Sequence, residues 1–177
     1  MRFYEEKLPG VRIIEGERHC DGRGYFQRTF DAKLFAGSAL ESTFVQSAVS
    51  FNHLKGTVRG LHWQEAPSDE AKLITCLHGG IYDVLVDMRE GSPTRFQHVS
   101  VELWDSDGRM LYVPKGIAHG YQTLQDGTLV GYQLSAPHDP PRARRARWND
   151  PAFDIAWPLP LTVIADLDRD APLTVRH

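Results

Sequence analysis

KLITCLHGGIYDVLVDMREGSPTRFQHVSVELW, residues 72–104, decides the fold class. Lys72–Leu77 is an apolar run that breaks at Gly79-Gly80, a tight-turn signal between two strands. Ile81–Met88 follows and ends at Gly91-Ser92-Pro93, where a strand cannot continue. Phe96–Trp104 then alternates, with Val99, Val101 and Leu103 on one face, and stops at Asp105-Ser106-Asp107-Gly108. Working outward, the rhythm persists. Thr57–Trp63 follows the turn Lys55-Gly56, Met110–Val113 leads into Pro114-Lys115-Gly116, and Thr128–Leu134 supplies another strand. Turn signals at such short intervals mark a sandwich or barrel. Helical pattern is scarce: Asp31–Phe35 offers a turn or two, with Asp31 as its cap. The tail carries Pro151, Pro158, Pro160 and Pro172 and reads as extended segments wrapped over a barrel. The expectation is one all-β domain over residues 1–177. Its barrel core lies at about residues 44–135, with both terminal segments packed on it and only short peripheral helical turns.

Composition agrees. The 15 glycines and 11 prolines among 177 residues would break a helical bundle but suit a turn-rich sheet. A net charge of −3 gives no field that would draw the chain to nucleic acid or anionic lipid. No stretch has the run of apolar residues that a membrane helix needs. The N-terminal MRFYEEKLPG lacks the apolar centre of a signal peptide. Cys20 and Cys76 are far apart and form no CxxC pair, which fits a reduced, cytoplasmic protein better than a single disulfide.

Four side chains carry candidate chemistry. His62 lies in Arg59-Gly60-Leu61-His62-Trp63-Gln64, where alternation puts Gly60, His62 and Gln64 on one face and Arg59, Leu61 and Trp63 on the other. A lone strand histidine is more often a hydrogen-bonded core residue, but glycine and glutamine beside it suggest a lined cavity. His119 closes Pro114-Lys115-Gly116-Ile117-Ala118-His119, Lys72 opens an apolar strand, and Tyr132 sits in Val130-Gly131-Tyr132-Gln133-Leu134. Alone, Lys72 reads as a snorkelling surface lysine and Tyr132 as a half-buried strand tyrosine. Together inside a barrel they would form a polar cluster that an apolar core does not accept without purpose. A base, a cation and a phenol on one cavity suit proton abstraction beside a carbonyl. His62 would take the carbon-bound proton, Lys72 with or without His119 would stabilise the enolate oxygen, and Tyr132 would return a proton from the other side. Arg23, in the tight turn Asp21-Gly22-Arg23-Gly24, and Arg59 are candidate anion-binding groups. Arg142, Arg144, Arg145 and Arg147 form a basic run, which at this net charge reads as a solvated loop or ion-pair cluster rather than a nucleic-acid surface.

Two levels of resemblance follow from these motifs. Pro114-x-Gly116-x-x-His119 resembles the second signature of the cupin jelly roll, a double-stranded β-helix. The first signature is represented only by His62-Trp63-Gln64, too poor in ligands for a divalent metal, with Lys72 a cation where the metal would stand. In addition, several stretches in order resemble dTDP-4-dehydrorhamnose 3,5-epimerases and related nucleotide-sugar epimerases. They include Asp21-Gly22-Arg23-Gly24-Tyr25-Phe26, Gly56-Thr57-Val58-Arg59-Gly60-Leu61-His62-Trp63-Gln64, Ala71-Lys72-Leu73, residues 83–94, residues 112–120, Arg147-Trp148-Asn149-Asp150-Pro151 and Asp168-Arg169.

The resemblance implies a cofactor-free and metal-free homodimer acting on a nucleoside-diphosphate-4-keto-6-deoxyhexose at C3, C5 or both. It implies His62 as base with Asp168 as its orienting partner, Tyr132 as acid, and Lys72 and His119 around the C4 oxygen. It further implies Arg23 and Arg59 at the diphosphate and Gln46 at the substrate. This chain departs from the family at Arg28, Ala48, His138, Ala143 and Leu167, where Glu, Asn, Tyr, Glu and Lys are usual. Glutamate accepts the N3–H of thymine or uracil, whereas arginine only donates, so Arg28 and His138 leave a CDP-linked sugar open beside a dTDP-linked one. The other enzyme class open to this barrel is a 3,4-ketoisomerase, against which Lys72 and Tyr132 count. A non-catalytic or metal-binding cupin is the third reading.

Overall fold

The computed structural model describes residues 1–174. Its strands are β1 (Arg2–Glu5), β2 (Arg12–Glu15), β3 (Arg18–Asp21), β4 (Gly24–Gln27), β5 (Gln46–Asn52), β6 (Val58–Gln64) and β7 (Lys72–His78). They continue with β8 (Gly80–Asp87), β9 (His98–Trp104), β10 (Arg109–Val113), β11 (Ile117–Thr123), β12 (Thr128–Leu134) and β13 (Ala143–Arg145). Two short helices, α1 (Ala32–Gly37) and α2 (Asp166–Arg169), complete the described elements. One sheet runs β1-β2-β10-β7-β12-β5 and the other β13-β6-β11-β8-β9, while β3 and β4 form a separate hairpin. The two sheets face each other as a jelly-roll barrel.

Alternation explains how one chain fills three layers. In β7, Ile74 and Cys76 join the core between the sheets, while Leu73 faces outward into a cluster with Phe35 of α1. In β8, Ile81 and Leu85 point inward, and Val84 and Val86 pack outward against Phe153. Leu111 and Val113 of β10 are likewise inward, with Met110 and Tyr112 outward. Strands covered on both faces therefore read as unbroken apolar runs. The helix begins where expected, because the Asp31 carboxylate accepts from the amides of Lys33 and Leu34.

Three expectations need correction. The N-terminal segment is not merely packed on the barrel: β2 pairs antiparallel with β10, so it extends the wall. The tail is not wholly extended, since the proline-free stretch between Pro160 and Pro172 makes the helical turn α2. Finally, Arg59 and His62 do not lie on opposite faces of β6. His119 pairs with His62 but Tyr121 pairs with Arg59, so Gly60 and Leu61 together oppose the single Gly120. This β-bulge breaks the period of two and brings Arg59 and His62 to the same cavity.

The bulge needs its glycines. Gly60 has φ +110, and a Cβ there would lie 2.5 Å from the Cα of Gly120. A Cβ on Gly120 would lie 2.7 Å from the Arg59 carbonyl oxygen. Gly120→Ala is therefore expected to destabilise the fold by about 1–3 kcal/mol. For a chain of this size that lowers Tm by roughly 2–4 °C per kcal/mol, readable by calorimetry. An unchanged Tm would show that the two strands can separate freely.

Candidate active site

Inward parity selects the polar residues as it selects the core. Lys72 shares its face of β7 with Ile74, His119 shares its face of β11 with Ile117 and Tyr121, and Tyr132 shares its face of β12 with Val130. At one end of the barrel these positions open into a cavity of about 390 Å³. It is lined by His62, Lys72, His119, Tyr132, Arg59, His138 and Asp168, among others. His62 and His119 come from the five-stranded sheet, Lys72 and Tyr132 from the six-stranded one. The imidazole of His62 and the phenol of Tyr132 thus approach the cavity from opposite walls.

His62 and Asp168 form a dyad. Nε2 of His62 lies 2.7 Å from Oδ1 of Asp168, and the Gly60 amide donates to Oδ2 at 3.1 Å. With Nε2–H donating to the carboxylate, Nδ1 of His62 carries the free lone pair of the ring. Burial works to raise the Asp168 carboxyl, but the hydrogen bond and charge of His62, the Gly60 amide and Arg145 together hold it below the usual carboxylate range.

A second histidine–carboxylate pair stands beside the first. His119, opposite His62 in the register, meets Asp83 Oδ1 through Nε2 at 2.5 Å. Asp83 is wholly buried and its Oδ2 has no partner. Lys72 Nζ donates to the His62 carbonyl oxygen at 3.0 Å and pairs with Glu70 at 3.1 Å. Burial pulls the Lys72 ammonium down, while Glu70 and Asp83 oppose that pull. The Tyr132 hydroxyl is held well above its ordinary value, first by burial and then by Tyr121 and Asp83. Its ring packs edge-on to His119 at 6.1 Å between centroids. A phenol kept protonated on the wall opposite an oriented imidazole can donate a proton where the imidazole removes one.

The flanking groups are positioned by neighbours. Arg59 Nε donates to Asn52 at 2.8 Å, which holds the guanidinium at the rim. Gln64 is buried and bonds to the carbonyls of Ser68 and Pro137 and the amide of Asp139, fixing the loop that carries His138. Gln46 acts on that loop as well: its Oε1 accepts from the His138 amide at 3.1 Å. It steadies a wall residue.

Not every expected residue converges. Arg23 sits at the tip of the β3–β4 hairpin, with a side chain 91% exposed and paired to Asp21, and it does not line the cavity. Arg28 pairs with Asp31 at 3.1 Å beside a separate small cavity with Met1 and Phe26. Arg18 and Gln27 tie the hairpin to the carbonyls of Asp105, Ser106 and Gly108, and neither arginine lines the His62 cavity of its own chain. Conversely, Glu70, Asp83 and Arg145 were not selected from the sequence as site residues. Asp83 was detectable as a lone acid at inward parity with Ile81 and Leu85; Glu70 lies just before a strand, where no periodicity marks it. Among the described residues, no three of His, Cys, Asp and Glu cluster closely enough to hold a metal ion.

The family model for dTDP-4-dehydrorhamnose 3,5-epimerase matches residues 5–175. The chain belongs to that family. A dTDP-4-dehydrorhamnose 3,5-epimerase from Sinorhizobium fredii is 39% identical over 97% of this chain and 89% of its own length. One from Mycobacterium tuberculosis is 40% identical, over 97% of this chain and 85% of its own. A crystal structure of the Bacillus anthracis enzyme with TDP and PPi bound superposes with a TM-score of 0.94 at 35% identity. It covers 98% of this chain and 99% of that one. The all-β jelly roll expected from the sequence is the fold of these relatives.

Asp168→Asn keeps the shape of the dyad but removes the charge that orients and stabilises the His62 imidazolium. Turnover on a family substrate is expected to fall by about 10²–10⁴-fold, the span of general-base contributions. Full activity in that variant would separate Asp168 from the chemistry.

Proposed function

We propose that this chain is a cofactor-independent isomerase that epimerises a dTDP-4-keto-6-deoxyhexose in deoxysugar biosynthesis. Its family membership supports the reaction class, and TDP in the Bacillus anthracis relative supports the nucleotide. The observation that carries the roles is the opposition of an oriented base and a protonated phenol across one cavity. His62 Nδ1 takes the proton from the carbon next to the C4 ketone. The resulting enolate oxygen lies toward Lys72 and His119, whose cationic or hydrogen-bonding groups stabilise it. Tyr132 delivers a proton to the opposite face, which inverts the centre. The similarity to proteins named 3,5-epimerases favours action at C5 as well as C3. Arg28, the residue behind a CDP-linked alternative, stands outside its own chain's cavity.

We further read the molecule as a homodimer. Val49 and Phe51 on the outer face of β5 are 68% and 52% exposed, and Leu77 of β7 is 47% exposed nearby. Together they make an apolar patch at an unpaired sheet edge, which a second copy would cover. Tyr25 and Phe26 on the β3–β4 hairpin are also exposed. Arg23 and Arg28 would then meet a diphosphate or nucleotide from a neighbouring copy. The unpaired thiols of exposed Cys20 and buried Cys76 fit a reducing cytoplasm. Among the described residues, no helix is long and apolar enough to cross a membrane.

Incubation with a dTDP-4-keto-6-deoxyhexose in D2O tests the reaction. Deuterium is expected at C3 and C5 with inversion, and Tyr132→Phe is expected to keep exchange while slowing inversion. No deuterium at either carbon rejects the epimerase reading, and a ketone displaced along the ring would indicate a 3,4-ketoisomerase. A CDP-linked substrate run in parallel decides the nucleotide. For the assembly, Phe51→Asp is expected to shift the sedimentation coefficient from dimer to monomer, and a monomeric native chain would reject it.

A further inference from the structure

The basic run from Arg142 to Arg147 includes β13, which pairs with the His62 strand. Arg144 pairs with Glu65 at 2.5 Å, and Arg147 Nε donates to the Ala171 carbonyl. Arg145 does something different. It lies directly opposite His62 in the β13–β6 pairing, and its Nε is 3.3 Å from Asp168 Oδ1. That is the oxygen His62 Nε2 meets at 2.7 Å. One carboxylate oxygen is thus shared between an imidazole and a guanidinium, while the Gly60 amide occupies the other.

We propose that Arg145 is a positioning residue that holds the Asp168 carboxylate toward His62 and, by offsetting part of its charge, sets the pH at which His62 becomes a competent base. This rests on the reading of His62 as the base. The physical argument is one of sign. Asp168 stabilises the protonated imidazole; a permanent cation on the same oxygen weakens that stabilisation. Proton abstraction by the dyad then persists to a lower pH than it would without that cation.

The surrounding charges leave this role to Arg145. On β7, Lys72 is matched by Glu70, and on β11 His119 is matched by Asp83 of β8. On α2, Arg169 pairs with Asp166 and Asp170. Arg59, on β6 itself, bonds to Asn52; Tyr132 of β12 and His138 of the loop before β13 complete the wall. Arg144 on β13 is spent on Glu65. The Arg145 side chain is 43% exposed, so solvent and salt screen its effect and keep it moderate.

The test is the pH dependence of kcat/KM for the native enzyme and for Arg145→Leu, Arg145→Gln and Arg145→Lys. The Leu and Gln variants are expected to move the acidic limb up by about 0.3–1 pH unit, equivalent to a roughly 2–10-fold loss below the limb. Arg145→Lys should stay near the native profile, and about 1 M salt should shrink the difference between native and Leu enzyme. A partly unfolded variant lowers the whole profile without moving its limb, so packing and charge effects separate. An unmoved limb, a Lys variant that moves as far as Leu, or a rise in KM alone would overturn the proposal. The NMR titration midpoint of the His62 ring in native and Leu proteins gives a readout without turnover. An upward shift supports the assignment and no shift rejects it, while absence of deuterium exchange in the native enzyme counts against the epimerase reading itself.

Discussion

Much of the site hangs on one buried carboxylate. Asp168 is 6% exposed, accepts from the Gly60 amide and the His62 ring, and forms an ion pair with Arg145, three partners on two neighbouring strands. It comes from a turn 106 residues beyond His62, so the dyad exists only if the tail is correctly laid over the barrel. Several contacts lay it there. Phe153 and Trp157 pack on the outer face of the five-stranded sheet, Gln122 bonds to both amide and carbonyl of Leu159, and Val163 bridges to Thr57. Fixing the backbone of that segment has an entropic cost, which the apolar contacts and bonds offset.

The cavity is polar inside an otherwise apolar barrel, and pairing makes this possible. An unpaired buried charge is strongly unfavourable, whereas a matched and hydrogen-bonded one is tolerated. Lys72 with Glu70 and His119 with Asp83 follow that rule, yet Glu70 Oε2 and Asp83 Oδ2 remain without partners. Such incomplete satisfaction is common where a site is built for chemistry rather than stability. The bulge at Gly60 serves the same end, since it turns both a guanidinium and an imidazole from one strand toward the cavity.

The strands of the central region were legible because apolar runs and glycine turns are local signals. β5 was not read from its pattern, since Gln46-Ser47-Ala48-Val49-Ser50-Phe51-Asn52 mixes polar and apolar residues on an edge with an exposed outer face. The N-terminal strands are four residues each and gain their place only by pairing with β10. His62, Lys72, His119 and Tyr132 were legible as unusual residues on inward strand faces. Arg59 was placed on the wrong face, because a bulge depends on the register of the partner strand. The run containing Arg145 reads as a solvated loop or ion-pair cluster, and the structure gives Arg145 an ion pair with Asp168, the carboxylate that meets His62.

What the sequence determined by itself is therefore the turn-rich all-β class and the residue types of the cavity. Both follow from nearest-neighbour periodicity and motif spacing, which need no knowledge of distant contacts. The His62–Asp168 pairing was reachable only through the family resemblance; tertiary structure alone decided that Asp83 meets His119, that Arg145 shares Asp168, and which arginines line the cavity and which stand outside it. Those are long-range facts. Asp168, Arg145 and His62 meet because separate chain segments close on one another, and no local pattern encodes that closure.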